Sequence, residues 1–172
     1  MVTEIRIKET LLNRKHMKNL DKFFDKINSD IKNIAILSNV DFKVIIVSTE
    51  EMREITRKYT FIIPSGMFLV SELTIYLSDK KNMGELLNTY YHELGHLIDY
   101  VLGIKSGNNT FYTYKKKITA DLEKEVEELD YIYAYNNYQE YFAQAFSECI
   151  RNTRKSASLK KTRKMFIELS IL

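Results

Sequence analysis

The 172-residue chain predicts an α+β fold, with a small, mostly antiparallel sheet in its first half and helices in its second. Two observations predict it. Before Ser78 the apolar residues fall in short β-branched or alternating runs, Asp41 to Thr49 and Val70 to Ser78, which is the pattern of strands. Beyond Gly84 the segments lengthen and carry no proline, since the single proline of the chain is Pro64. The length suits one domain, 1–172, able to bury a core without staples. Within it, 1–83 forms a helix-and-sheet part and 84–172 a helical part.

The first helix is signalled from Leu20, after which Phe23, Phe24, Ile27, Ile31 and Ile34 keep the three-four spacing of one helical stripe. DFKVIIVST, Asp41 to Thr49, is β-branched and apolar and reads as a buried strand. Glu50 to Tyr59 is charged and short, a helix or turn, and Pro64, Ser65 and Gly66 mark a loop. Val70 to Ser78 alternates Leu73, Ile75 and Leu77 against Thr74, Tyr76 and Ser78, so one face of this strand is expected to be covered. Glu85 to Leu102 reads as a helix stopped by Gly103. Gly107 to Thr113 is a polar loop, and Lys115 to Asp130, with both charge signs, a solvated helix. Tyr138 to Arg151 and Ser158 to Leu172 complete the helical half, the last docking through Leu159, Met165, Phe166 and Leu169.

Composition narrows the possible functions. Hydrophobic residues make up 45% and charged residues 28%, an ordinary globular balance. Twenty-six basic against 23 acidic side chains leave a net charge of +3, which steers the molecule toward neither nucleic acid nor a membrane surface. No apolar run approaches the roughly 18 residues of a membrane span, and MVTEIRIKET lacks the apolar centre of a signal peptide. The single cysteine, Cys149, forms no internal disulfide and no multi-cysteine metal site, so any metal must be held by His, Asp or Glu.

The run HELGH provides such ligands. His92 and His96 stand four residues apart, one above the other on a helical face, and can aim at a single ion. Glu93 lies about 100° around the helix from His92, too far to join them as a ligand but within reach of a water at the site, where it would serve as catalytic base. Two of the three histidines fall in this motif; the third, His16, has no such context. A catalytic zinc takes three protein ligands and leaves one position open, so a third ligand must come from elsewhere. The candidate is Glu140, which opens the EYFAQAF segment. Two other possibilities stand beside it: Glu140 could instead close a capping box on Asn137, and Asp121 to Asp130 is rich in acids.

HELGHLIDY, followed after a long helical spacer by a tyrosine and then YQEYFAQAF, resembles the catalytic domain of anthrax lethal factor and the related secreted Pro-Pro endopeptidases. The resemblance spans nearly the whole chain and implies a zincin-like zinc metallopeptidase domain, with an edge strand beside the HExxH helix and one catalytic Zn²⁺. It implies metal ligation by His92, His96 and Glu140, general-base catalysis by Glu93, and assistance from a tyrosine that corresponds to Tyr133, with Tyr131, Tyr135 and Tyr138 as nearby alternatives. Relatives often carry an acid where this chain has Gln144; the amide can still accept a hydrogen bond from a ligating histidine but brings no charge. Asp99, one turn beyond His96, is the other candidate for that supporting position. The Pro-Pro enzymes carry a longer, tryptophan-bearing loop before the edge strand, whereas this chain has no tryptophan, so preference for proline around the cut does not carry over.

The expected activity is hydrolysis of peptide bonds by a monomer. An extended peptide or protein substrate would add to the edge strand Leu73 to Ser78. Secretion follows from the resemblance, with a cytoplasmic location as the alternative. One rival enzyme class is the regulatory peptidase that cleaves phage or stress repressors, which has a shorter spacer between motif and glutamate. A non-enzymatic rival is a binding module with an inert or structural zinc that uses Arg151, Arg154, Lys155, Lys160, Lys161, Arg163 and Lys164 to hold nucleic acid or an acidic protein. No aromatic residues interleave with those bases, which speaks for a solvated helix face.

Overall fold

Helix α1, Arg14–Lys32, buries its stripe of Leu20, Phe23, Ile27 and Ile31 in the core, as the spacing predicts. It connects two neighbouring parallel strands, β1, Val2–Ile7, and β2, Phe42–Val47. The computed structural model describes residues 2–7, 14–79, 82–106, 120–129 and 137–172. The loop Gly107 to Thr113, the start of the Lys115 to Asp130 segment, and Tyr131, Tyr133 and Tyr135 lie outside the described residues.

The sheet has the order β1-β2-β4-β3, with β3 at Gly66–Leu69 and β4 at Thr74–Ser78. It is mixed, and the expectation of a mostly antiparallel sheet is corrected: β1–β2 and β2–β4 are parallel and only β3–β4 is antiparallel. The reason lies in the connections. A parallel pair needs a long crossover, and α1 supplies one between β1 and β2. Helix α2, Thr49–Thr56, lies between β2 and β4 and opens on a capping box in which the Ser48 hydroxyl accepts from Glu51 N–H and the Glu51 carboxylate accepts from Ser48 N–H.

The strand Val70 to Ser78 is also corrected. Val70–Glu72 form a 3₁₀ turn, Leu73 takes a left-handed conformation at φ 48°, and only Thr74–Ser78 are extended. That turn reverses the chain from β3 into β4. β4 is therefore interior to the sheet, paired on both sides, and Thr74 and Ser78, expected to face solvent, are buried along with Ile75 and Leu77. The edge strand beside β4 is β3, which begins at Gly66 in the loop marked by Pro64.

Helix α3, Met83–Ser106, runs through Gly103 instead of stopping there. A Cβ at Gly103 would meet nothing, so the glycine is an interior helical residue with no left-handed stop to make. α3 packs against β3 and β4 and, most extensively, against α5, Tyr138–Ile150. Between them in sequence lies α4, Ala120–Glu128, which is not wholly solvated: Glu125, Val126 and Leu129 are buried. The Glu125 carboxylate accepts from Lys161 N–H at 2.8 Å and from Thr162 N–H at 3.0 Å, capping α6, Lys160–Glu168, from a neighbouring helix. Leu159, Met165 and Phe166 dock α6 as predicted, with Leu169 half-buried. Among the described residues no helix is long and apolar enough to cross a membrane.

Candidate metal centre

At the crossing of α3 and α5 the two backbones nearly touch. A Cβ on Gly95 would sit 2.6 Å from Ala143 Cα and 3.0 Å from its carbonyl oxygen, so glycine at one helix and alanine at the other set how closely they approach. The side chains that matter stand within one turn of this contact. His92 and His96 project from α3 and Glu140 from the first turn of α5.

The three converge. His92 Nε2 lies 3.3 Å from Glu140 Oε2, His96 Nε2 lies 3.5 Å from Glu140 Oε1, and the two imidazole nitrogens are 3.2 Å apart. Ligand atoms bound at about 2.1 Å in a tetrahedron stand about 3.4 Å from one another, so this spacing fits one metal ion. The donor set of two imidazoles and a carboxylate suits a first-row divalent ion, zinc among them. All three residues are half-buried and open on a cleft of about 780 Å³ lined by Ile62, Pro64, Phe68, Asn88, Thr89 and Tyr100 as well.

Asn137 is the N-cap, its side-chain oxygen accepting from Gln139 and Glu140 N–H, while the Glu140 carboxylate lies against the imidazoles. Hydrogen bonds from His92 and His96 hold that carboxyl well below the usual carboxylate range, against the opposing effect of burial. At His92, burial works to lower the pKa, but the Glu140 hydrogen bond and the charges of Glu93 and Glu140 outweigh it and raise the value. The pocket thus favours a bound positive charge.

Glu93 points elsewhere, as its offset around the helix requires. It is buried, and its Oε2 accepts a 2.9 Å hydrogen bond from Phe68 N–H on the edge strand β3. Burial raises its pKa, partly offset by the charges of His96 and His92 and by the Phe68 N–H. Gly66 makes this approach of strand to helix possible: a Cβ there would meet Thr89 Cγ2 at 2.4 Å and Glu93 Cγ at 3.0 Å.

Of the two candidates for supporting a histidine, Gln144 does so, its Oε1 standing 3.2 Å from His92 Nδ1. Asp99 lines the cleft and bonds neither imidazole among the described residues; burial pushes its carboxyl up to about 6, eased by the nearby His96 charge. The basic run near the C-terminus is partly engaged within the chain, Lys155 donating to Leu129 O, Arg163 to Asn152 Oδ1, and Lys164 pairing with Glu168.

Several contributors were not predicted from sequence. The Phe68 N–H and Gly66 belong to a strand hidden behind a proline, and the Gly95–Ala143 contact was masked by the motif that contains it. The alternation of Ile5 and Ile7 with Arg6 was the available signal for β1. No family model matches the chain, nor does any curated protein sequence.

Proposed function

We propose that the protein is a zinc-dependent metalloendopeptidase of the lethal-factor-like kind, acting on an extended peptide or protein substrate. The observation that carries this is the convergence of His92, His96 and Glu140 at metal-ligand spacing, with the carboxylate of Glu93 in the same cleft beside an open sheet edge. When bound, zinc would supply a Lewis acid that polarises a scissile carbonyl and lowers the pKa of water toward about 7.

The chain's own residues would do the rest. Glu93, anchored through Oε2 by the Phe68 N–H, keeps Oε1 to take the proton of the attacking water and pass it to the leaving amine. A carboxyl with a raised pKa is suited to both transfers. Tyr133 keeps the role that the resemblance implies, donating its hydroxyl to the developing oxyanion. Export belongs to the same reading through the resemblance to secreted peptidases.

The substrate edge moves from Leu73–Ser78 to β3. Ser65 O accepts from Ser78 N–H, and the two-residue alternation of an antiparallel ladder then turns the backbone groups of Gly66 and Phe68 toward the open edge. With the Phe68 N–H held by Glu93, the Gly66 N–H and the Gly66 and Phe68 carbonyls face an incoming chain. An extended peptide would pair there and pass over the metal seat.

The test is to incubate zinc-loaded protein with a degenerate peptide library, with and without a chelator, and sequence the fragments. Chelator-sensitive cleavage is expected, and Glu93→Gln should keep its zinc while losing about 10²- to 10⁴-fold in turnover. Full activity in Glu93→Gln, or no cleavage by the zinc-loaded wild type of any library peptide, would reject the proposal.

A further inference from the structure

Glu140, Gln144 and Glu148 follow one another at four-residue intervals and so form a single stripe along α5. Glu140 faces both imidazoles and Gln144 faces the back of His92. Glu148, a buried acid, accepts from Gln144 Nε2 at 2.9 Å through its Oε1, and its Oε2 accepts from the Thr153 hydroxyl. Thr153 is itself fixed by its N–H to Glu148 O at 3.2 Å.

We infer that Glu148 is a positioning residue for the metal seat, locking the amide of Gln144 and, through it, the tautomer of His92. A glutamine amide can turn over and present either NH₂ or oxygen to His92. With oxygen presented, His92 must carry its proton on Nδ1, which leaves the Nε2 lone pair free for a metal. With NH₂ presented, Nδ1 becomes the acceptor and the proton moves to Nε2, where it blocks ligation. Glu140 pulls toward that second form, because its carboxylate, 3.3 Å from His92 Nε2, rewards a proton there.

Glu148 decides the matter because an ionised carboxylate only accepts. Turning the Gln144 amide would set its oxygen against the buried Glu148 carboxylate, two acceptors face to face at a part-buried contact, which is costly. The negative charge also polarises the amide and makes its oxygen a better acceptor for the His92 Nδ1–H. An acid one turn further along the helix thus supplies what the neutral Gln144 lacks. The inference rests on the proposed metal site.

The test measures metal affinity by competition with a chromophoric chelator, for Co²⁺ and Zn²⁺, in a double-mutant cycle. In the native chain Glu148→Gln, nearly equal in size, lets either amide orientation stand and should weaken metal binding about 10- to 100-fold, the usual effect of losing a group behind a ligating histidine. In the Gln144→Glu background a carboxylate faces His92 directly, and the same substitution should cost nothing. In metal-free protein, long-range ¹⁵N–¹H correlation spectra should show the share of the His92 Nδ1–H form falling in Glu148→Gln. If that variant does not fold, Thr153→Val, which frees the far side of the carboxylate, should produce a smaller change in the same direction. Equal losses in both backgrounds, or unchanged affinity and tautomer, would overturn the inference. A wild type that binds neither ion would instead sink the peptidase reading, and the tautomer spectra would still judge the lock.

Discussion

At the scale of single residues, the site separates two glutamates that the sequence places on different helices and the fold brings into one cleft. Glu140 lies against two imidazoles and is held ionised, whereas Glu93 is buried against a strand N–H and pushed toward protonation. Two carboxyls with pKa values driven apart can take different tasks. Their substitutions should therefore differ in kind. Glu140→Gln should lower zinc affinity measured by chelator competition, whereas Glu93→Gln should leave affinity within about threefold while lowering turnover about 10²- to 10⁴-fold. Tyr133→Phe should keep zinc and lose about 10²- to 10³-fold in turnover. That His92 and His96 share one helical face, with Glu93 turned aside from it, was legible because a motif on one helix fixes side-chain direction from spacing alone. The partners behind them were not: whether Gln144 or Asp99 reaches a histidine depends on how α5 crosses α3, which no local pattern encodes.

At the scale of elements, that crossing rests on Gly95 and Ala143. Gly95→Ala would force a methyl to 2.6 Å from the Ala143 Cα, so the helices must separate. The expected cost is about 1 to 3 kcal/mol, read by denaturant unfolding, together with weaker zinc binding because Glu140 moves away from the imidazoles. Glu125 governs a second junction. Glu125→Ala strands the Lys161 and Thr162 N–H groups at the start of α6 and should cost about 1 to 3 kcal/mol without altering zinc stoichiometry. Helix positions were legible here because apolar stripes recur at helical spacing over many residues. The helix end at Gly103 was misplaced because a glycine stops a helix only where the chain must turn left-handed, and here it does not. The solvated reading of Lys115 to Asp130 failed for a related reason, since the charge of Glu125 is used inside the molecule as a cap.

At the scale of the whole molecule, the α+β class was legible and the sheet's pairing was not. Strand direction follows from what crosses between strands, and β1, short and set among charges, did not declare itself. Without β1 the α1 crossover had no partner strand to make parallel. The four-residue β3 follows Pro64 too closely to show a strand pattern of its own, and without it β4 reads as the edge. The same core sets the alkaline limit of the fold. Burial pushes the Cys149 thiol up from 9.0 to about 12 and raises the Tyr90, Tyr91 and Tyr141 phenols above 10.0. Folded values above the unfolded ones mean stability that is complete below pH 9 and is lost as pH rises toward 12. Unfolding free energy should fall across that window, and less steeply in Cys149→Ala.

Two imidazoles and the Glu140 carboxylate are placed to hold one metal ion. Zinc-edge X-ray absorption on protein loaded with one equivalent of zinc and dialysed tests this most directly. The expected spectrum is a four-coordinate shell with two imidazole nitrogens at about 2.0–2.1 Å and oxygens at about 2.0–2.2 Å, with zinc lost or a protein oxygen replaced in Glu140→Ala. Zinc that dialyses out of the wild type, or a shell without paired imidazoles, would contradict it.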